Sequence, residues 1–204
     1  MYKYPVIIFE GIEASGKSTN IKIVANYLKK IKRKFIKIRE PGGTKNSEKI
    51  RKLILNNKSN LSKKTDLLLM QASRSENIDK IINKNHNKKI ILIDRFTDST
   101  IAYQHYGMKI NLNIIKNLNK FVKGDFYPNL TFLSIVNKVN MQKRLKVRRK
   151  INKYNKFKYN FYDNVQKGFL NISKNKKKYV ILNSNTCSIA EIKTILIKNI
   201  NKLI

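Results

Sequence analysis

Four scarcities bound this 204-residue chain before any motif is read: one cysteine, two histidines, twelve acidic residues and no long apolar run. A lone Cys187 cannot close an intramolecular disulfide, which fits a reducing cytoplasm. His86 and His105 stand apart from any Cys or carboxylate pattern with metal-ligand spacing, which argues against a protein-bound zinc. No stretch approaches the ~18 apolar residues of a membrane span, and Met1-Tyr2-Lys3-Tyr4-Pro5 leads straight into a strand with no signal-peptide apolar region. With seven glycines and three prolines there is no linker, and no internal repeat is visible; 41% hydrophobic residues suffice for one domain spanning 1–204. Twelve acids against 45 Lys and Arg leave a formal net charge of +33, a size that ordinarily points to nucleic acid. Yet the basic residues are mostly Lys, are spread over the whole chain and accompany an excess of Asn and Ile, the composition an AT-rich genome favours. Drift is the preferred account, a nucleic-acid partner is not expected, and anionic substrates are attracted either way.

One stretch is unmistakable in what remains. Gly11-Ile12-Glu13-Ala14-Ser15-Gly16-Lys17-Ser18-Thr19 fits the phosphate-binding pattern G-x-x-x-x-G-K-[ST]. In such a loop backbone N–H groups converge on the α- and β-phosphates, the lysine reaches the β/γ oxygens and the Ser18 hydroxyl ligates Mg2+. Glycine is needed where a side chain would block that approach or forbid the dihedrals. Val6 to Phe9 reads as a buried strand, and Ile21, Val24, Ala25, Leu28 and Ile31 recur at helical spacing. The phosphates then fall at a helix N-terminus, where partial positive charge favours them. The bland alternative is a strand-to-helix turn without nucleotide; strand, loop and helix together favour ATP or GTP.

Downstream, strands and helices alternate. Phe35 to Ile38 reads as a strand, and Pro41 with Gly42 and Gly43 marks a loop. Ser47 is expected to cap a helix with Ile50, Leu53 and Ile54 on its apolar face, and Thr65 to Asn83 a longer one. Ile90 to Ile93 is a continuous apolar run of the kind strands buried on both faces show, ending in Asp94-Arg95. An acid at such a strand tip, beside a phosphate loop, is placed to hold Mg2+ through water, or simply opens a turn. Helices are expected over 99–106, 112–121, 139–150 and 157–173, and strands over 130–136 and 179–182. Ser188 and Glu191 form a capping box before a last helix. This order implies a doubly wound α/β domain with a parallel sheet.

Phe9-Glu10-Gly11-Ile12-Glu13, then Arg39-Glu40-Pro41-Gly42-Gly43-Thr44, then Asp94-Arg95-Phe96-x-x-Ser99-x-x-Ala102-Tyr103-Gln104 make the chain resemble bacterial-type thymidylate kinases over essentially its whole length. The resemblance implies a three-layer P-loop NTPase fold with a five-stranded parallel sheet flanked by helices, a homodimer, and transfer of phosphate from ATP to dTMP with Mg2+, giving ADP and dTDP. It implies that residues 11–19 bind ATP, with Lys17 catalytic and Ser18 and Asp94 serving the metal. Glu13 would accept a hydrogen bond from the dTMP 3′-hydroxyl. Arg95 would clamp the acceptor phosphate with its planar fork, unless it forms a structural ion pair with Asp94 or Glu40. Arg74 would bond a thymine carbonyl, and the Tyr103 ring would exclude a ribose 2′-hydroxyl. Pro41, Met70, Thr100 and Gln104 complete the acceptor pocket, Met70 standing where an aromatic residue usually covers thymine. A lid over about 140–156 would supply Arg144, Arg148 and Arg149, with Lys153 where the family's D-R-[IF]-E pattern has arginine. Elsewhere in the chain Ser73, His105 and Ser134 stand where the family usually has Asp, Gly and Asp.

Two other readings share these residues. One keeps the chemistry and changes the acceptor to another nucleoside monophosphate or a deoxynucleoside. The other notes that residues 150–162 interleave Lys with Tyr154, Phe157, Tyr159, Phe161 and Tyr162, the mixture of a single-strand nucleic-acid binder; Phe157, Phe161 and Val165 also recur at helical spacing, as core positions would.

Overall fold

The computed structural model describes residues 4–147, 153–174 and 177–204. Five strands, β1 (Val6–Gly11), β2 (Phe35–Arg39), β3 (Ile90–Asp94), β4 (Leu130–Ile135) and β5 (Tyr179–Asn183), form one sheet in the order β2-β3-β1-β4-β5, every neighbouring pair parallel. Central β1 is buried along its whole length because helices cover both faces. Ile7 and Phe9 join one core cluster with Leu92, Phe132 and Leu182, closed by Val24 and Leu28 of α1 (Lys17–Lys30) and Leu196 and Ile200 of α9 (Ile189–Asn201). Val6 and Ile8 join the cluster on the opposite face, where they meet Ile78, Ile82 and Phe96. Alternate residues serving opposite faces is the period-2 rule of a strand.

That second face is laid down by several pieces. Helix α2 (Lys45–Leu55) packs on α3 (Lys63–Asn77), which continues through a π-helical stretch, Ile78–Ile82, into the short α4 (Asn83–Asn85). The short α5 (Thr97–Thr100) likewise runs on into a π-helical stretch, Ile101–Gly107. Next come α6 (Leu112–Lys123), α7 (Lys138–Lys146), a 3-10 turn at Lys153–Lys156, and α8 (Tyr159–Lys174), which packs along the second π stretch. Among the described residues no helix is long and apolar enough to cross a membrane.

Local chemistry moves some expected boundaries. Thr44, not Ser47, caps α2: its side chain accepts the Ser47 N–H at 3.0 Å, and Ser47 sits buried one turn inside. Helix α3 starts two residues early because Ser62 caps it, and its expected continuation to Asn83 is π rather than α from Ile78 on. In the second π stretch the consecutive residues Ala102, Tyr103 and Gln104 are all buried. A wider turn lets adjacent side chains share one face, and such bulges gather at functional sites. The Ser188–Glu191 capping box is present as expected.

The register places Asp94 beside both Phe9 and Arg39, and Gly11 beside Ser134. The carboxyl ends of the central strands therefore open on one edge, where open α/β sheets bind ligands.

Candidate active site

On that edge lies a cavity of about 440 Å³ lined by Glu13 through Thr19. The loop's backbone explains its glycines. At Gly11 φ is 137°, and a Cβ there would stand 2.3 Å from the Ser134 carbonyl oxygen; Gly16 has φ 101° and precedes α1 in the left-handed region. No side chain caps α1 and its first turn holds no acid, so its N-terminal N–H groups face the cavity without an internal anion. Gly11 and Ile12 stand behind the cavity wall, and their carbonyls accept the Lys17 Nζ at 2.9 and 2.7 Å. Burial first, then the nearby Arg95 guanidinium, pulls the Lys17 ammonium down from its usual 10.5 to about 8.

The opposite wall carries Pro41, Met70, Arg74, Arg95, Thr100, Tyr103 and Gln104, so the acceptor residues expected from the sequence share one cavity with the phosphate loop. Arg95, at φ 71°, sends Nη1 to the Gly11 carbonyl at 2.9 Å and the Ser99 Oγ at 3.3 Å, and Nη2 to Glu13 Oε1 at 2.9 Å. Its ion pair is with Glu13, in place of the alternative pairing with Asp94 or Glu40. The Tyr103 hydroxyl donates to the other Glu13 oxygen, and the Arg95 guanidinium lies 5.0 Å from the Tyr103 ring centroid. Burial alone would raise the Glu13 carboxyl, but Arg95 and Lys17 outweigh it and hold it below the usual range. Arg74 is buried against Glu40 at 2.7 Å and also reaches Gln71 and Asn119, so it meets the cavity as part of a polar network. Thr100 and Gln104 are buried.

Two further residues, neither given a role of its own in the sequence reading, help to build the site. Arg51, one helical turn before Ile54 on α2, donates to the Pro41 carbonyl and lines the cavity; burial and then the neighbouring Arg39 depress its guanidinium. Lys17, Arg51 and Arg95 thus crowd positive charge into one partly dry space, an arrangement that an anion relieves. Glu10 is the other. Wholly buried at the end of β1, it accepts the N–H groups of Phe96 at 2.9 Å and Ser99 at 3.1 Å and the Ser99 hydroxyl. It holds the turn that presents Arg95. A charged residue inside an otherwise apolar strand is the signal that could have singled it out.

Oxygen donors for a divalent cation are present in the chemistry Mg2+ prefers. Asp94 Oδ1 is buried and has no hydrogen-bond partner among the described residues, while Ser18 stands at the start of α1. Both line the cavity and the shallower hollow beside it.

The expected lid cations fare differently. Arg144 lines the cavity and is tied by Nη1 to the Ala14 carbonyl and Ser184 Oγ, both at 3.0 Å. Arg148 and Arg149 lie outside the described residues. Lys153 does not line the cavity; its Nζ binds Asp66 Oδ2 at 2.6 Å. The aromatic run after it packs on itself, Phe157 and Phe161 stacking at 4.0 Å between ring centroids, with Tyr154 and Tyr162 buried. Rings engaged this way do not form an open base-stacking row.

Comparison with known proteins agrees with this geometry. The family described as thymidylate kinase matches residues 9–194. A thymidylate kinase of Thermosipho africanus is 39% identical over 201 residues, covering 95% of this chain and 98% of its own length. One from Wolbachia pipientis wMel is 42% identical over 171 residues, covering 82% and 84%. The crystal structure of a thymidylate kinase from Ehrlichia chaffeensis superposes with a TM-score of 0.77 at 33% identity, covering 97% of this chain and 98% of that one. With motif, cavity and whole-length similarity in agreement, the chain belongs to the thymidylate kinase family.

Proposed function

We propose that this chain transfers the γ-phosphoryl group of ATP to dTMP, giving ADP and dTDP, as a cytoplasmic, Mg2+-dependent homodimer. The observation that carries the reading is the single cavity in which the phosphate loop faces Arg95, Glu13 and Tyr103. ATP phosphates lie along the loop and the α1 N-terminus, and Lys17 turns from the Gly11 and Ile12 carbonyls to the phosphate oxygens. Arg95, with Arg51 behind it, holds the dTMP phosphate in line. A phosphate oxygen of dTMP then forms a bond to the γ-phosphorus while the bond to the β-phosphate bridging oxygen breaks, and the charge that develops is met by cations fixed beforehand. Mg2+, bound at Ser18 and near Asp94, would neutralise β- and γ-oxygens. Glu13 uses each oxygen once in the free protein, and a carboxylate has further lone pairs with which to accept a sugar 3′-hydroxyl. Tyr103, held by Glu13, fills the space beside the sugar and disfavours ribose.

The homodimer is supported by exposed apolar side chains on adjacent helices: Leu68 on α3, and Ile114 and Phe121 on α6, are 55, 54 and 86% exposed. The function is tested by measuring ADP release with ATP and Mg2+ against dTMP, dUMP, dAMP, dCMP, dGMP and UMP. The expected result is a kcat/KM for dTMP at least about tenfold above each other acceptor. Preference for a different monophosphate would replace dTMP while leaving the fold and family in place.

A further inference from the structure

Asp66, in the first turn of α3, is 2% exposed and uses both carboxylate oxygens on the segment that follows residue 152. Oδ2 binds the Lys153 Nζ at 2.6 Å, and Oδ1 accepts the Tyr154 hydroxyl at 2.9 Å. Tyr154 is itself buried, lines the cavity, meets the Tyr103 ring edge-on at 5.9 Å, and has its carbonyl bonded by the Tyr162 hydroxyl of α8. One carboxylate on the helix that carries Met70 and Arg74 thereby fixes a tyrosine that backs the sugar-facing Tyr103.

We infer that Asp66 is a positioning residue for the acceptor pocket: it clasps Tyr154 into the cavity wall and takes up the charge of Lys153, which is therefore not the cation of phosphoryl transfer. The inference rests on the kinase reading above for its substrate. Arg144, which touches the phosphate loop, remains on the cavity as Lys153 does not.

The test uses the full chain with Asp66→Ala, Asp66→Asn, Tyr154→Phe, Lys153→Met and the double variant Asp66→Asn/Lys153→Met. Asp66→Ala and Tyr154→Phe should each raise the KM for dTMP about tenfold while the KM for ATP and the saturating kcat move less than about threefold. Asp66→Asn keeps an oxygen for the Tyr154 hydroxyl and should stay within about threefold of the parent KM, a rescue a merely structural carboxylate does not predict. Lys153→Met strands a buried carboxylate and should lower Tm, whereas the double variant should regain much of that loss and hold kcat within about threefold of the parent. A fall of kcat by about a hundredfold in the folded double variant would make Lys153 the transfer cation and overturn the inference. Equal rises in both KM values for Asp66→Ala would overturn it as well. The Tm cycle needs no substrate, and the KM split is read with whichever acceptor the parent enzyme prefers, so failure of the dTMP assignment is distinguishable from failure of the clasp.

Discussion

Lys17 and Glu10 sit a few residues apart and are both held against their preferred ionisation, so each is a place where function opposes stability. Lys17 titrates at about 8 in the folded chain against a usual 10.5. Below pH 8 it is charged in both the folded and unfolded chain and its burial penalty is complete; the penalty fades as pH rises from 8 to 10.5, because there the folded form has already shed its proton. Lys17→Met should abolish phosphoryl transfer yet raise the stability of the free protein at neutral pH by on the order of 3 kcal/mol, the gain vanishing above the usual lysine range. Urea unfolding at pH 7 and 10.5, beside an ADP-release assay, checks both halves. For Glu10 the sign is the reverse. Burial first, and then the Asp98 charge, raise its carboxyl from 4.5 to about 7. The folded state therefore binds the extra proton between those values, and stability falls as pH climbs from 4.5 to 7. Glu10→Gln cannot ionise, so its stability relative to the parent should climb across that window and then level off; a pH-independent difference would show that Glu10 does not titrate there.

Helix α2 shows how a cap reaches the site. The Thr44 side chain accepts the Ser47 N–H, and seven residues further on Arg51 projects to the cavity. Thr44→Ala should destabilise the chain by about 1 kcal/mol, and by loosening the first turn it should raise the KM for the acceptor more than that for ATP; circular dichroism melts and steady-state kinetics on one preparation measure both. The residue at fault in the sequence reading of this helix was Ser47, because Thr44 and Ser47 both have capping chemistry and only the backbone, extended at Thr44 and helical after it, tells them apart. The π stretches were illegible for a similar reason. Thr65 to Asn83 and Ser99 to Tyr106 have the composition of ordinary helices; in the second π stretch the wider turn goes with the burial of the consecutive Ala102, Tyr103 and Gln104, which an α-helical turn would spread over different faces. The strands were read nearly to the residue, since continuous apolar runs such as Ile90 to Ile93 have no other use in a chain this short of apolar stretches.

For the molecule as a whole, the +33 charge sets the balance of association. Two copies would repel at long range, so the homodimer proposed above would have to form by burying Leu68, Ile114 and Phe121, and should strengthen with salt. Phe121→Arg should give a monomer by sedimentation in conditions where the parent is dimeric; an unchanged sedimentation coefficient would move the interface elsewhere. At this scale the division between sequence and fold is clear. The phosphate loop, the five strands and the order of elements were determined by the sequence alone, because glycine spacing, hydrophobic period and capping act within about ten residues of chain. Partnership was decided by the tertiary structure. Glu13 pairs with Arg95 and Tyr103, Arg51 reaches the cavity, and Lys153 joins Asp66 across 87 residues of chain. Each of these depends on how close two remote segments come once packed, and a buried charge takes whichever opposite charge packing leaves beside it.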